Sequence, residues 1–229
     1  MANEIIGYFE ACQREGGSLQ KGMNFQRGHG YSVIIMSVRP NAPYHDRFED
    51  DGTTLIYEGH DVPHGKTVSN PKAMNQPEFT PTGRLTENGK FHKAAQDYKQ
   101  GLRSSELVKV YEKIKAGIWS YNGLFQLVDS WRERSGRRQV FKFKLVAIVE
   151  EESSLQPGAV LTVHRRIIPT TVKLEVWKRD GGKCVVCGKT TELHFDHVLP
   201  FSKGRTSITA ENVQLLCVRH NLEKSNKIV

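Results

Sequence analysis

Residues 184–220 read CVVCGKTTELHFDHVLPFSKGRTSITAENVQLLCVRH, a stretch that begins and ends with a pair of potential metal ligands. Cys184 and Cys187 form the first pair, and Cys217 and His220 form the second. Zinc prefers four cysteine or histidine ligands in a tetrahedral arrangement, so two such pairs can close one site. Because a full shell of protein ligands leaves no open position, we expect a structural Zn²⁺ that helps to fold a small module. The alternative is a set of ordinary core cysteines.

Side chains suited to the hydrolysis of a phosphodiester lie between these pairs and just after them. Asp196 and His197 are adjacent, Asn212 follows before the second pair, and Asn221 comes directly after it. The carboxylate of Asp196 and the amide oxygen of Asn221 are oxygen ligands of the kind that Mg²⁺ or Mn²⁺ prefers. The imidazole of His197 titrates near neutrality, which suits a general base that activates water. The competing interpretation is a surface pair or a helix cap, which is the usual role of an isolated Asp-His pair.

This arrangement resembles the HNH, or ββα-metal, nuclease family over residues 172–229. The shared pattern is an Asp-His pair, a proline and a basic glycine-containing loop, an asparagine before Leu-Leu-Cys, and a final His or Asn. The final position is Asn221 in this chain. The resemblance implies a metal-dependent DNA endonuclease in which Asn212 orients the base, His197. It also implies that Asp196 and Asn221 hold the catalytic cation.

The charge of the chain is compatible with a nucleic-acid partner. The formal net charge is +8, and a basic balance favours polyanionic partners. Lys203 and Arg205 in the basic loop are candidate phosphate contacts, although such a loop can also be merely solvated. We expect no membrane partner and a cytoplasmic location, because no apolar run approaches the roughly 20 residues that span a bilayer and the N-terminus lacks a signal-peptide pattern.

The first 150 residues are dominated by strand patterns. Four segments, which are rich in β-branched or alternating apolar residues, predict strands: 31–38, 53–58, 123–131 and 139–149. Residues 91–116 contain good helix formers with apolar residues at helical spacing, which predicts one or two helices broken near Gly101. Residues 63–90 are rich in Pro, Asn, Gly and Thr, and a loop of this length is more often functional than idle.

These patterns predict an α+β protein with two domains. The segment 151–170 changes from glutamates to Pro157-Gly158 and then to basic residues, and we interpret it as a linker. The N-terminal domain then spans residues 1–150 and the small zinc-stabilised domain spans residues 171–229.

Three segments of the N-terminal half resemble the SRA domain, the SET- and RING-associated module that binds modified cytosine. They are Tyr31-Ser-Val-Ile-Ile, then Tyr44-His-Asp46 leading to Leu55-Ile-Tyr57-Glu-Gly59, and Tyr121-Asn-Gly-Leu-Phe continuing through Trp131 to Leu145. The resemblance covers residues 25–150 and implies a twisted β-barrel with flanking helices. Such a domain flips a cytosine out of the duplex into a pocket of aromatic faces and polar groups.

The same resemblance assigns the pocket residues. Tyr57 and Tyr44 would be the stacking faces, and Asp46 would accept a hydrogen bond from the cytosine amino group. This chain departs from the family because segment 37–51 is longer and lacks the Gly-Gly that usually precedes the first tyrosine. Asp-Val-Pro also replaces the Gly-Gly that usually follows Tyr57-Glu-Gly. The alternative is that Tyr44 and Tyr57 are ordinary strand and core aromatics.

The two halves together resemble the SRA–HNH modification-dependent restriction endonucleases. The resemblance implies recognition of 5-methylcytosine or 5-hydroxymethylcytosine in double-stranded DNA, followed by cleavage nearby, as a restriction of modified foreign DNA. Cutting both strands requires two nuclease sites, so we expect a two-fold homodimer. Two alternatives remain. One is a modified-DNA reader whose zinc module only folds and docks, and the other is an HNH nicking enzyme that does not depend on a modified base.

Overall fold

The structure is a computed structural model that describes residues 3–28, 30–49, 52–65, 68–148, 167–198 and 209–225. Four α-helices lie within these ranges: α1 (Tyr8–Arg14), α2 (Glu87–Lys99), α3 (Thr170–Arg179) and α4 (Val218–Ser225). The strands are β1 (Glu4–Ile6), β2 (Met23–Gly28), β3 (Tyr31–Met36), β4 (Arg47–Phe48), β5 (Thr54–Glu58), β6 (Glu106–Lys115), β7 (Ile118–Ser135), β8 (Arg138–Ala147), β9 (Leu193–His197) and β10 (Val213–Cys217). The predicted α+β class is confirmed. None of the helices in these ranges is long and apolar enough to cross a membrane.

The 18-residue strand β7 organises the sheet. Its first half pairs with β6 and its second half pairs with β8, both in antiparallel register. Beyond β6 the sheet continues to β3, which runs parallel to β6, and then to β2. Beyond β8 it continues to β5 and β4. The predicted strands 31–38 and 53–58 and the predicted hairpin of 123–131 with 139–149 are therefore present as β3, β5, β7 and β8.

The sheet curls around one apolar core, so that strands from both of its arms contact the same buried side chains. The buried core residues include Met23, Ile34, Leu55, Tyr57, Val108, Val110, Phe125, Leu127, Phe141, Phe143 and Leu145. Helix α2 contributes Phe91, Ala94 and Ala95 to this core. The helix begins where the hydroxyl of Thr86 accepts a hydrogen bond from the Gly89 amide at 3.2 Å, which satisfies one of its free N–H groups.

The helical prediction for residues 91–116 is correct only up to Lys99, because the chain turns after this residue and then forms β6 from Glu106 to Lys115. The chain leaves α2 at Gly101, whose φ of +72° lies in the left-handed region that glycine adopts easily. A register shift between Val110 and Tyr111 buries consecutive residues of β6, which breaks the two-residue alternation of a regular strand. The resulting apolar spacing imitates that of a helix, although β6 is held between β3 and β7.

The two halves of the chain share the same sheet. Strand β1 pairs with β7 on one side and, through Glu4 and His194, with β9 on the other. Strand β9 then pairs with β10, so the sheet runs without interruption from the N-terminal half into the C-terminal hairpin. A second apolar cluster spans this junction, with Ile114 of β6 packed among residues of α3, β9 and β10.

A buried polar cluster also joins the halves. Lys173 of α3 lies 2.6 Å from a carboxylate oxygen of Glu112 on β6, and both side chains are fully buried. The ammonium group of Lys173 also donates to the side-chain oxygen of Asn122 at 2.6 Å. The Asn122 amide and the Thr170 hydroxyl each donate to Glu112. Such a cluster holds α3 at one position on the sheet, because a shift of the helix would leave a buried charge without its partner.

Most of the predicted linker, residues 151–166, lies outside the described residues. The chain after this gap is packed, because Ile167 belongs to the N-terminal core and Ile168 belongs to the cluster at the junction. The amide of Ile167 donates to the carbonyl of Gly52 at 2.6 Å. The last residues before α3 are therefore fixed against both halves.

Candidate functional site

The predicted zinc ligands are brought together by the fold. The ligand atoms of Cys184, Cys187, Cys217 and His220 all lie within 4.8 Å of one another. The sulfur atoms of Cys187 and Cys217 are 3.8 Å apart, and Nδ1 of His220 lies 3.4 Å from Cys184 Sγ and 3.3 Å from Cys217 Sγ. A tetrahedron with Zn–S bonds of about 2.3 Å has edges of about 3.8 Å, so the donor set fits a tetrahedral ion.

A tight turn presents the first cysteine pair. The amide of Gly188, which has a φ of +73°, donates to the Cys184 carbonyl at 2.8 Å, and the Cys184 amide donates to Lys189 at 2.8 Å. Burial raises the pKa of the Cys184 thiol. The backbone amides of Cys217, Cys187 and Val186, together with His220, outweigh that effect and bring the pKa to about 6. The thiolate, which is the form that binds metal, is therefore favoured at neutral pH.

Strands β9 and β10 place His197 next to the segment that carries Asn212. His197 is opposite Val213 in the antiparallel register, and the amide of Val198 donates to the Asn212 carbonyl at 2.8 Å. Asn212 is buried and ends the 3₁₀ turn Ala210–Asn212 that leads into β10. The hairpin register therefore determines the separation of these two residues, which are fifteen positions apart in the sequence.

Helix α4 covers the same end of β9. The ammonium group of Lys224 forms an ion pair with Asp196 and donates to the carbonyl of His197. Asn221 precedes Lys224 by three residues, so it lies on the same face of α4, toward β9. The carboxylate of Asp196 therefore faces a positive group in this structure. Carboxylate and amide oxygens are donors of the kind that a hard divalent cation accepts.

The sequence did not predict a role for Lys224. Its position three residues after Asn221 was the available signal, because this spacing places two residues on one face of a helix. The candidate phosphate contacts Lys203 and Arg205 lie outside the described residues.

Two of the three predicted base-pocket residues line a cavity of about 280 Å³. Tyr44 and Asp46 are among its lining residues, as is His60, which follows the end of β5 by two residues. Asp46 accepts hydrogen bonds from the amides of Ser37 and Glu58, both at 3.0 Å. Burial outweighs these bonds and raises the pKa of Asp46 to about 7. The carboxyl group is therefore partly protonated near neutral pH.

The third predicted pocket residue, Tyr57, lies in the core directly behind this cavity. Its side chain is 1% exposed, and its hydroxyl lies 2.8 Å from Nε2 of His60. His60 also stacks on Tyr44, with ring centroids 4.9 Å apart and an angle of 7° between the planes. No sequence pattern predicted a role for His60, and its position directly after Tyr57-Glu-Gly was the available signal.

A larger cavity of about 850 Å³ adjoins the first. The two share Lys21, Tyr44 and His60 in their walls. The larger cavity is also lined by residues of the segment 63–90, including Lys72, whose ammonium group lies 4.1 Å from the centroid of the Tyr44 ring. The segment predicted to be a functional loop therefore contributes one wall of the space beside Tyr44.

Residues 184–227 match the family model described as HNH endonuclease. No curated protein matches the chain. Similar solved structures include the SUVH5 SRA domain with methylated CHH DNA, at 20% identity and a TM-score of 0.40, covering 58% of this chain and 76% of that one. The SUVH5 SRA complex with hemi-methylated CG DNA has 24% identity, a TM-score of 0.39 and coverages of 60% and 79%. SUVH6 of Arabidopsis thaliana has 18% identity, a TM-score of 0.43 and coverages of 76% and 28%.

Proposed function

We propose that this protein is a divalent-metal-dependent DNA endonuclease that binds a modified cytosine with its N-terminal half and hydrolyses a nearby phosphodiester bond. The observation that carries the proposal is the match of residues 184–227 to the HNH endonuclease model. Within this segment Asp196 and His197 end a strand that is covered by the helix bearing Asn221. The net charge of +8 is consistent with binding to a phosphate backbone.

Each polar residue of the hairpin and helix has a role in this proposal. His197 accepts the proton of the attacking water, and Asn212 holds the imidazole in the orientation that this transfer requires. Asp196 and Asn221 hold Mg²⁺ or Mn²⁺ through oxygen atoms. When bound, the cation stabilises the charge that develops on the phosphate and on the leaving oxygen. Lys203 and Arg205 contact neighbouring phosphates and keep the strand in register.

The cluster of Cys184, Cys187, Cys217 and His220 holds a structural Zn²⁺ in this proposal. The spacing of its ligand atoms supports a tetrahedral ion, and four protein ligands leave no position for substrate. The ion fixes the turn before β9 against the end of β10 and the start of α4, because Cys217 ends β10 and His220 lies in α4. Zinc therefore maintains the surface on which the catalytic residues lie.

The N-terminal half is proposed to flip 5-methylcytosine or 5-hydroxymethylcytosine out of the duplex. The support is the sequence resemblance to SRA domains, together with the cavity beside Tyr44 and Asp46. The size of this cavity suits no more than a single base. Asp46 accepts from the cytosine amino group, and Tyr44 and Tyr57 provide the aromatic surface. The biological role proposed for this activity is restriction of modified foreign DNA. Because the chain has one nuclease site, cutting both strands calls for a homodimer.

Cleavage of supercoiled plasmid in Mg²⁺ or Mn²⁺ tests the nuclease assignment. We expect nicked and linear products that disappear with EDTA and in His197→Ala and Asn212→Ala. His92→Ala, which replaces a histidine on α2, is the matched control and should retain activity. If the wild-type protein binds modified DNA but does not cleave it, the protein is instead a modified-DNA reader whose zinc module has no catalytic role.

A further inference from the structure

His60 makes contacts with both tyrosines that the base pocket would use. Its ring lies parallel to Tyr44 with centroids 4.9 Å apart, which is the arrangement of two stacked aromatic groups. Its Nε2 atom lies 2.8 Å from the Tyr57 hydroxyl, and the two rings are 6.1 Å apart at an angle of 42°. With Tyr57 almost fully buried, the imidazole covers the aromatic surface that a flipped base would need.

The backbone of His60 is fixed independently of its ring. The side-chain oxygen of Asn88 accepts from the His60 amide at 2.8 Å, and the Asn88 side-chain nitrogen donates to the His60 carbonyl at 2.8 Å. The carbonyl of Gly59 accepts from Gln76 at 2.5 Å. The ring can therefore change rotamer while the main chain stays in place. The two cavities that it lines provide the space for this movement.

The surroundings of the ring favour a neutral imidazole. Burial lowers the pKa of His60 to about 4, so the ring carries no charge at neutral pH. A Cβ atom on Gly22 would lie 2.8 Å from Cε1 of His60, so glycine at this position leaves room for the ring. An uncharged planar ring in this position is chemically similar to the nucleobase that the pocket is proposed to receive.

We propose that His60 occupies the base-stacking position on Tyr44 in the DNA-free protein and is displaced by the incoming cytosine, so that it sets the affinity threshold for base capture. The inference rests on the proposed reader function. Capture must replace both the stacking on Tyr44 and the hydrogen bond to Tyr57. This cost lowers the affinity for every cytosine by the same factor, because the competent state is only a fraction of the population. Only bases whose 5-substituent adds further contacts are then retained.

Binding measurements with a nuclease-inactive protein test this role. We would measure the affinity of His197→Ala for matched duplexes with one 5-methylcytosine or none, by fluorescence anisotropy, with and without the additional change His60→Ala. Removing the ring should tighten binding of both duplexes about tenfold or more, the effect expected when one competing hydrogen bond and one competing stacking contact are lost. His60→Phe keeps a ring over Tyr44 but loses the hydrogen bond to Tyr57, so its gain should be smaller than that of His60→Ala.

Different results would overturn the displacement role of His60 and the reader function on which it rests. Weaker or unchanged binding of the methylated duplex by His60→Ala would overturn the displacement role. No preference of the parent protein for the methylated duplex would overturn the reader function itself. A readout without substitution at His60 is the NMR shift of its Cε1 proton, which should lose the ring-current effect of Tyr44 when methylated duplex binds. An unchanged shift in the saturated complex would also overturn the role.

Discussion

At the scale of single residues, the base pocket combines an aromatic surface with an acid whose ionisation is disfavoured. Tyr44 is partly accessible, whereas Tyr57 supports the pocket from the core. If Tyr44 stacks on the base, Tyr44→Ala should weaken binding of methylated duplex at least about fivefold, because a base–aromatic stack is worth about 1–3 kcal/mol. Tyr57→Phe keeps the ring in the core and should change the affinity far less. Equal losses in anisotropy titrations of the two variants would contradict these roles.

The raised pKa of Asp46 predicts a specific dependence of stability on pH. The folded protein retains a proton up to about pH 7, whereas an unfolded aspartate releases it near pH 4. The stability contributed by this group is therefore full below pH 4 and is lost as the pH rises to 7. Asp46→Asn should remove that decline. Urea unfolding of both proteins between pH 4.5 and 7.5 measures the difference, and parallel curves would contradict the assignment.

The residues that the sequence revealed are those whose relation is local. Cys184 and Cys187 are separated by two residues, and so are Cys217 and His220, so their spacing alone predicted a cluster that the fold assembles. His60 was missed because its partners Tyr44 and Asn88 come from a different loop and from α2. No local pattern encodes such contacts, which arise only when the sheet has curled.

At the scale of elements, the C-terminal hairpin depends on its metal cluster. Strands β9 and β10 have five residues each, and a pair of this size is marginally stable by itself. Cys217→Ser should therefore lower the melting temperature and abolish cleavage, as should prolonged treatment with a zinc chelator. Cys12→Ser is the matched control, because Cys12 packs against a different apolar cluster. Calorimetry and zinc analysis would check this, and a Cys217→Ser protein with wild-type melting and full activity would contradict it.

The elements were predicted well where their patterns were regular. The strands β3 and β5 and the β7–β8 hairpin follow from β-branched runs and alternation. Strand β6 was missed because its register shift places buried residues next to each other. In such a segment the tertiary context, here the strands on either side, determines the conformation.

At the scale of the whole molecule, one sheet and one buried polar cluster connect the two halves. Lys173→Met leaves the buried carboxylate of Glu112 without its cation, which typically costs about 3–5 kcal/mol of stability. We expect a lower unfolding midpoint in urea for this variant. Lys178→Met, on the exposed face of the same helix, should unfold like the wild type. Equal effects of the two substitutions would show that the buried pair does not join the halves.

The sequence did not predict this connection. The composition of residues 151–170 indicated a linker, and Ile167 and Ile168 gave no sign that the chain packs again before α3. The bridging strand β1 has only three residues, too few to carry a pattern. Its role depends on β7 and β9, which are distant from it in the sequence.

In the proposed function, one molecule binds a modified cytosine and cuts the DNA beside it. The most direct test is cleavage of end-labelled duplexes that contain one 5-methylcytosine, one 5-hydroxymethylcytosine or only unmodified cytosine, with Mg²⁺ or Mn²⁺ and with His197→Ala as control. We expect cutting of modified duplexes alone and none by the variant. The distance from the modified base to the cut should be constant, because the halves share one sheet. Equal cutting of all three duplexes would contradict the proposed function.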